Sequence, residues 1–142
     1  MNENNRILGV DPGDKRIGLA ISDLTGTIAN PLIVIEHEKR ETDAKNIVSI
    51  AEKNEVKLIV VGIAIDEEGE LSPSGRKGKR LADMIQLFTG IHVVLWDESG
   101  STNEARAARM QMGVKRKKRK GHMDELAATV ILQSYLDSQI NE

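Results

Sequence analysis

The sequence predicts an α/β fold, a mixed five-stranded sheet flanked by helices, with elements in the order βββαβαβαα. Three short strand-like segments at the start are separated only by turns, which is typical of an antiparallel meander. The run from Leu58 to Ile65 is apolar without alternation, as in a strand covered on both faces. Strand and helix patterns alternate after it, as in a parallel sheet. A length of 142 residues predicts one domain over residues 1–142.

The first half of the chain contains the meander and one helix. Its strands are predicted at residues 6–11, 17–23 and 28–36. Pro31 cannot donate a backbone hydrogen bond, so the third strand should lie at an edge of the sheet or contain a bulge. Thr42 is a suitable N-cap for a helix that ends near Asn54. The apolar stripe of this helix consists of Ala44, Ile47, Val48 and Ala51.

The second half alternates strands and helices. A strand at residues 57–65 precedes a helix that ends near Phe88 and is closed by Gly90. A strand at residues 91–96 follows, and then a helix from the capping box of Ser101 to about Met112. The last helix is predicted over residues 123–138. Its inward face is predicted to consist of Leu126, Ala127, Val130, Ile131, Ser134 and Tyr135.

Composition excludes several classes of function. The chain has no cysteine, which excludes disulfides, thiolate zinc sites and cysteine nucleophiles. Its three aromatic residues, Phe88, Trp96 and Tyr135, are too few for a base-stacking platform. No apolar run approaches the ~20 residues that span a bilayer, and the N-terminal segment lacks a signal-peptide pattern. We therefore expect a cytoplasmic protein without a membrane partner.

Charge is distributed unevenly along the chain. Residues 1–71 contain 8 basic and 14 acidic side chains, whereas residues 72–142 contain 12 basic and 8 acidic ones. The second half also contains a run of consecutive basic residues just before the last helix. A basic run is usually a solvated loop, but this position favours contact with a phosphate backbone. The six consecutive basic residues are Lys115, Arg116, Lys117, Lys118, Arg119 and Lys120. The second half is where a polyanion is expected to bind.

Carboxylates occur at the ends of three predicted elements. Asp11 ends the first strand, Asp97 and Glu98 end the fifth, and Asp124 begins the last helix. Ligands of open α/β sheets bind at the carboxyl ends of strands, so Asp11 could share a crevice with Asp97 or Glu98. Only one of these two can take part, because adjacent strand residues point to opposite faces. Oxygen ligands without histidine or cysteine suit Mg²⁺ or Mn²⁺. Spacing alone leaves open that these residues are turn formers, surface charges or N-caps.

Two further segments could contact a phosphate. In the turn that follows Asp11, Lys15 and Arg16 are either solvated or add positive charge beside backbone amides. His122 lies two residues before Asp124 and could orient water or phosphate. His37 lies among charged residues, and we expect it to be solvated.

Four segments carry a family resemblance over essentially the whole chain: VDPGDKRIGLAISD, LIVVGIAI, VVLWDE followed by ST, and KRKKRKGHMDELAATVILQSYL. In this order and spacing they resemble the bacterial Holliday-junction-resolvase-like proteins, also called pre-16S rRNA nucleases. The resemblance implies an RNase H-like fold and a divalent-metal nuclease that matures the 5′ end of 16S rRNA. It also implies that the acidic residues of the site are Asp11, Glu98 and Asp124.

The sequence departs from the family pattern at two places. Ser99 and Gly100 stand where the family usually has Arg and Leu, and Asp66 stands where it often has a neutral residue. The absence of the arginine weakens one expected contact with a phosphate or carboxylate, and Asp66 could supply a fourth acid to the site. We expect a monomer or a weak homodimer, acting on RNA or on branched DNA.

Two other interpretations remain open at this point, and a third is rejected. A Holliday-junction DNA resolvase and a non-catalytic nucleic-acid-binding protein would both use this fold. A phosphate-transfer domain of the sugar-kinase type has a similar first hairpin, but it needs two such domains, for which 142 residues are too few.

Overall fold

The described part of the chain contains five strands and three helices. The computed structural model describes residues 4–98 and 120–140, and the side chains of residues 4–98 and 126–140. The helix predicted from Ser101 to Met112 lies outside these residues. The elements are β1 Ile7–Asp11, β2 Arg16–Ser22, β3 Ala29–Glu36, α1 Arg40–Lys53, β4 Leu58–Ile63, α2 Pro73–Phe88, β5 His92–Asp97 and α3 Lys120–Ile140.

The sheet has the strand order β3-β2-β1-β4-β5, with β1, β2 and β3 antiparallel and β4 and β5 parallel to β1. This confirms the predicted meander and the mixed five-stranded sheet. Because the three parallel strands run in one direction, Asp11, Ile63 and Asp97 all lie at the same end of the sheet. We refer to it as the C-terminal end of the sheet.

Pro31 lies in an edge strand that also contains a bulge. In the pairing of β2 with β3, Leu19 is opposite Ile33 and Ala20 is opposite Pro31, so Leu32 is one extra residue. The missing N–H of a proline is tolerated at such a position because no full ladder of hydrogen bonds is needed there. Both sequence-based expectations for this strand are confirmed.

One face of the sheet packs against α1 and α2, and we name it the α1/α2 face. The predicted apolar stripe of α1 is buried in this layer, as are Leu81 and Ile85 of α2. Burial of one such side chain contributes roughly 1.5–3 kcal/mol, so this layer supplies much of the stability. The strand residues that point into it are Leu8, Val10, Ile17, Leu19, Ile59 and Val61.

The opposite face packs against α3, and we name it the α3 face. Ala128, Leu132 and Leu136 are buried there against Ala20. The helix approaches β1 closely, because a Cβ atom added to Gly9 would lie 2.7 Å from the Cβ atom of Leu132. Any larger residue at position 9 would push the helix away from the sheet. None of the helices described is long and apolar enough to cross a membrane.

Two helix termini differ from the sequence-based expectations. The N-cap of α1 is Lys39 and not Thr42, and its side chain makes no capping hydrogen bond. The buried Asp43 carboxylate accepts the Glu38 N–H instead, 2.9 Å away. Helix α2 was expected to be closed by Gly90, but its C-cap is Thr89, which has an extended backbone. Gly90 does not have the left-handed conformation of a closing glycine.

The inward face of α3 was predicted correctly only in part. Leu126 is 37% exposed, whereas Ala128, Leu132 and Leu136 are buried. Ile131 is buried as predicted, and Ser134 and Tyr135 face the sheet as predicted, where both contact Trp96. The helix is apolar on most of its circumference in this region, so periodicity does not distinguish one stripe from the next.

Candidate metal and nucleic-acid site

Asp11 lies at the C-terminal end of the sheet and on the α3 face. Side chains alternate along a strand, and Gly9, two residues earlier, faces Leu132 of α3. Asp11 therefore points to the same side. It is partly buried and engaged in interactions with its surroundings.

Glu98 reaches the same face from the other side of β4. Its Oε1 atom lies 3.1 Å from the position that a Cβ atom of Gly62 would occupy, and Ile131 of α3 lies 2.8 Å from that position. Gly62 is one residue beyond the pairing of Val10 with Val61, so it neighbours Asp11 in the sheet. The glycine thus separates the two carboxylates and leaves space for the Glu98 side chain above β4.

Asp97 faces away from this position. Its neighbour Trp96 points to the α3 face, where its indole N–H donates to Ser134 Oγ at 3.1 Å. Alternation then directs Asp97 to the α1/α2 face. The two adjacent carboxylates thus point to opposite faces, and it is Glu98 that shares a face with Asp11; its role as a metal ligand stays a prediction.

The third predicted acid, Asp124, belongs to α3, the helix that covers the face on which Asp11 and Glu98 lie. Its side chain and that of His122 lie outside the described side chains. Within the part of the chain that is described, no three Asp, Glu or His side chains form a group that could hold a metal. The structure therefore brings together two of the three predicted acids, and the role of the third stays a prediction.

The turn between β1 and β2 places Arg16 near Asp11. A Cβ atom on Gly13 would lie 2.3 Å from the carbonyl oxygen of Arg16, so only glycine permits so tight a turn. Gly18 is paired with Asp11 in the sheet, so both positions face the same side. Arg16 lies two residues before Gly18 and therefore also faces the side of Asp11. Lys15 is exposed, and its carbonyl oxygen accepts the N–H of His37 at 2.9 Å.

Asp66 has a structural function within its own loop. Its Oδ1 atom accepts the backbone N–H groups of Glu68 and Glu70, each at 2.9 Å. The side chain is exposed, and the loop is closed by a bridge between Ile65 and Leu71. These contacts explain an aspartate here without a metal, and an accessory role for Asp66 stays a prediction.

The basic run lies almost wholly outside the described residues. Lys115, Arg116, Lys117, Lys118 and Arg119 are not described, and only the backbone of Lys120 is, as the first residue of α3. Its contact with nucleic acid stays a prediction.

Sequence reasoning missed one pair of polar residues. His37, expected to be solvated, contacts the carboxylate of Asp43 through Nδ1, although 40% of its side chain is exposed. Asp43 is 1% exposed. The signal was present, since Asp43, Ile47 and Ala51 are spaced by four residues on the buried side of α1.

Solved structures show which fold class the chain has. RuvC from T. thermophilus, solved with a Holliday junction substrate, is 16% identical and matches with a TM-score of 0.60 over 96% of both chains. The fowlpox virus Holliday junction resolvase is 17% identical, with a TM-score of 0.54 over 94% of this chain and 99% of that chain. The chain has this RNase H-like resolvase fold, as predicted.

The family follows from the sequence comparisons. The family model described as RuvX, Holliday junction resolvase, matches residues 5–138, and the chain belongs to this family. A protein of Thermoanaerobacter pseudethanolicus is 43% identical over 96% of this chain and 99% of its own length. One from Clostridioides difficile is 39% identical over 97% and 98%. Both carry the name "Putative pre-16S rRNA nuclease". These names and the family model indicate a hydrolase of phosphodiester bonds, which is the enzyme class that the sequence predicted.

Proposed function

We propose that this protein is a divalent-metal-dependent nuclease that cleaves precursor 16S rRNA near its 5′ end. The observation that carries the proposal is the placement of Asp11 and Glu98 on one face of the sheet, on either side of Gly62. Two carboxylates so arranged at the carboxyl ends of two parallel strands of one sheet are suited to chemistry that needs concentrated negative charge. The proposal extends to Asp124 as the third acid.

The donor set suits Mg²⁺ or Mn²⁺. Carboxylate oxygens are the ligands that these hard cations prefer, and zinc would favour histidine or cysteine. Carboxylates on one face also repel one another, and a bound cation relieves that repulsion. When bound, such a metal would make water a nucleophile near neutral pH and stabilise negative charge on the leaving oxygen.

The remaining residues hold the substrate strand. Arg16 shares the face of Asp11 and would contribute positive charge next to the carboxylates, with Lys15 at the exposed turn. The run from Lys115 to Lys120 would bind further phosphates independently of base sequence, because its contacts are electrostatic. His122 would orient water or a phosphate group.

The names of the relatives favour ribosomal RNA as the substrate. Proteins 39–43% identical to this chain are named for pre-16S rRNA, whereas the structures named for Holliday junctions are only 16–17% identical. Branched DNA is the second candidate, favoured by the fold shared with those resolvases. In this proposal the protein acts in the cytoplasm as a monomer or a weak homodimer.

A cleavage assay with matched variants tests the proposal. Purified protein is incubated with a 5′-extended 16S rRNA fragment or with a four-way DNA junction, in Mg²⁺ or in EDTA. We expect RNA cleavage only in Mg²⁺, and a loss of roughly 10²-fold or more in Asp11→Asn, the scale of losing one group that stabilises the transition state. Asp83→Asn, which removes an exposed carboxylate of α2, should cleave normally.

Each part of the proposal can fail separately. A wild-type rate for Asp11→Asn would remove Asp11 from the site. Cleavage of the junction but not of the RNA would make branched DNA the substrate. RNA binding that survives EDTA without cleavage under any condition would identify a non-catalytic binding protein.

A further inference from the structure

A cavity of about 380 Å³ lies beside the turn between β1 and β2. It opens on the α1/α2 face, on the opposite side of the sheet from Asp11 and Glu98. Its apolar wall is formed by Pro12, Ile17 and Leu81. The volume is within the range of small-ligand pockets, roughly 300–1,000 Å³.

Three cationic or potentially cationic side chains from different elements line this cavity. His37 comes from the connection between β3 and α1, Arg40 from the first turn of α1, and Lys77 from α2. Both helices begin at the C-terminal end of the sheet, so their N-terminal ends add positive potential. Three acidic residues also line the cavity, namely Asp14, Glu38 and Asp43.

The buried acid holds the histidine in position. Asp43 is 1% exposed, and its two oxygens contact Nδ1 of His37 and the backbone N–H of Glu38. A buried carboxylate needs such partners, so this pair is a stable part of the fold. With Nδ1 engaged, Nε2 is the ring nitrogen left for a ligand.

The two cations are available to a ligand. Lys77 pairs with Asp14 at 3.1 Å, but both side chains are more than half exposed. Such pairs contribute little to stability and open readily. The guanidinium group of Arg40 has no hydrogen-bond or ion-pair partner among the residues described. Glu38 and Asp14 are exposed, so water screens their charge.

We propose that this cavity is a phosphate-binding subsite that holds a backbone phosphate of the nucleic-acid strand next to the carboxylate site. A phosphate offers several acceptor oxygens, which matches donors that converge from three elements. The turn after Asp11 separates the two sites, so a strand crossing the C-terminal end of the sheet can reach both. The identity of the strand rests on the proposed function, but the phosphate chemistry does not.

Titration of the full chain with inorganic phosphate in EDTA tests the subsite. The readout is the NMR signal of the His37 ring protons. His37→Gln assigns the resonance among the three histidines. We expect a saturable shift of the His37 signal. Arg40→Gln should raise the phosphate Kd roughly tenfold, the effect of one charge-assisted hydrogen bond. Lys45→Gln removes the same charge from another part of α1, where Lys45 pairs with Glu41, and should change the Kd less than twofold.

Two outcomes would overturn the subsite. One is the absence of a saturable His37 shift in the wild-type protein, and the other is equal weakening in Arg40→Gln and Lys45→Gln, which would indicate general attraction of anions. Because this experiment uses neither metal nor cleavage, its failure is distinct from failure of the nuclease proposal.

Discussion

Trp96 of β5 donates an indole hydrogen bond to Ser134 Oγ of α3 at 3.1 Å. Its ring also packs edge-on against Tyr135, with 5.4 Å between ring centroids. On the other side of the helix, Gln133 accepts the N–H of Ala29 and donates to the carbonyl oxygen of Thr27. Helix α3 is thus bound to both edge regions of the sheet, and Trp96 connects it to the strand that precedes Glu98.

Trp96→Phe removes the hydrogen bond and keeps an aromatic ring. We expect a loss of about 1 kcal/mol in the free energy of unfolding, the usual contribution of one such bond. Ser134→Ala should have a similar effect, and the double variant should lose less than the sum of the two. Urea unfolding measures all three. Strictly additive losses would show that the bond contributes nothing.

Gly62→Ala tests whether the space beside Glu98 matters for metal binding. The new methyl group would lie 3.1 Å from Glu98 Oε1 and 2.8 Å from Ile131 Cδ1, so the carboxylate or the helix must move. We expect Mn²⁺ affinity by calorimetry to fall roughly 10-fold or more, as when the surroundings of a ligand are disturbed. Gly90→Ala is the control, because a Cβ atom there meets nothing within 4 Å. Equal Mn²⁺ affinities in the two variants would show that the space at Gly62 does not affect metal binding.

Neutralising Lys117, Lys118 and Arg119 to glutamine should weaken RNA binding regardless of base sequence. Each lost phosphate contact should reduce the slope of log K against log salt by roughly 0.7 to 0.9. The control is a triple variant with the same net charge, Lys45, Lys53 and Lys57 to glutamine, which changes the α1 side of the molecule. Fluorescence anisotropy at several salt concentrations gives both slopes. An unchanged slope in the first variant would identify the run as a solvated loop.

Asp23 should contribute to the acid sensitivity of the fold. A hydrogen bond from Thr25, and then the amides of Ile28 and Thr27, lower the pKa of this carboxyl from 3.8 to about 2. The folded state therefore binds the proton more weakly, so the stabilisation is present above about pH 4 and is lost as the pH falls towards 2. Asp23→Asn should show a shallower loss of unfolding free energy over this range. A curve identical to that of the wild-type protein would contradict this role.

Local sequence determined the elements and much of the α1/α2 layer. The stripe of α1 is separated from polar residues by helical spacing, so only one face could be buried. Pro31 restricted its strand to an edge because it lacks an N–H. Position at the end of a short apolar strand pointed to Asp11 and to the pair of Asp97 and Glu98, and the family resemblance selected Glu98 from that pair.

Tertiary structure decided the face of α3 and the position of the two acids. Ala127, Ala128, Ile131 and Leu132 are all apolar, so the sequence offered several equivalent stripes. Contact with Gly9 selected the one containing Ala128 and Leu132, because only a residue without a side chain lets the helix approach so closely.

The relation between Asp11 and Glu98 depends on strand register, which joins residues far apart in the chain. Gly62 separates them only because β4 lies between β1 and β5 with Val10 opposite Val61. The contact of His37 with Asp43 is local, because the two residues are six positions apart in the chain: helical spacing places Asp43 on the buried side of α1, and the connection from β3 into α1 brings the histidine to it. The sequence alone indicated which residues are candidates for this chemistry, and the long-range pairing of strands decided that Asp11 and Glu98 lie on one face of the sheet.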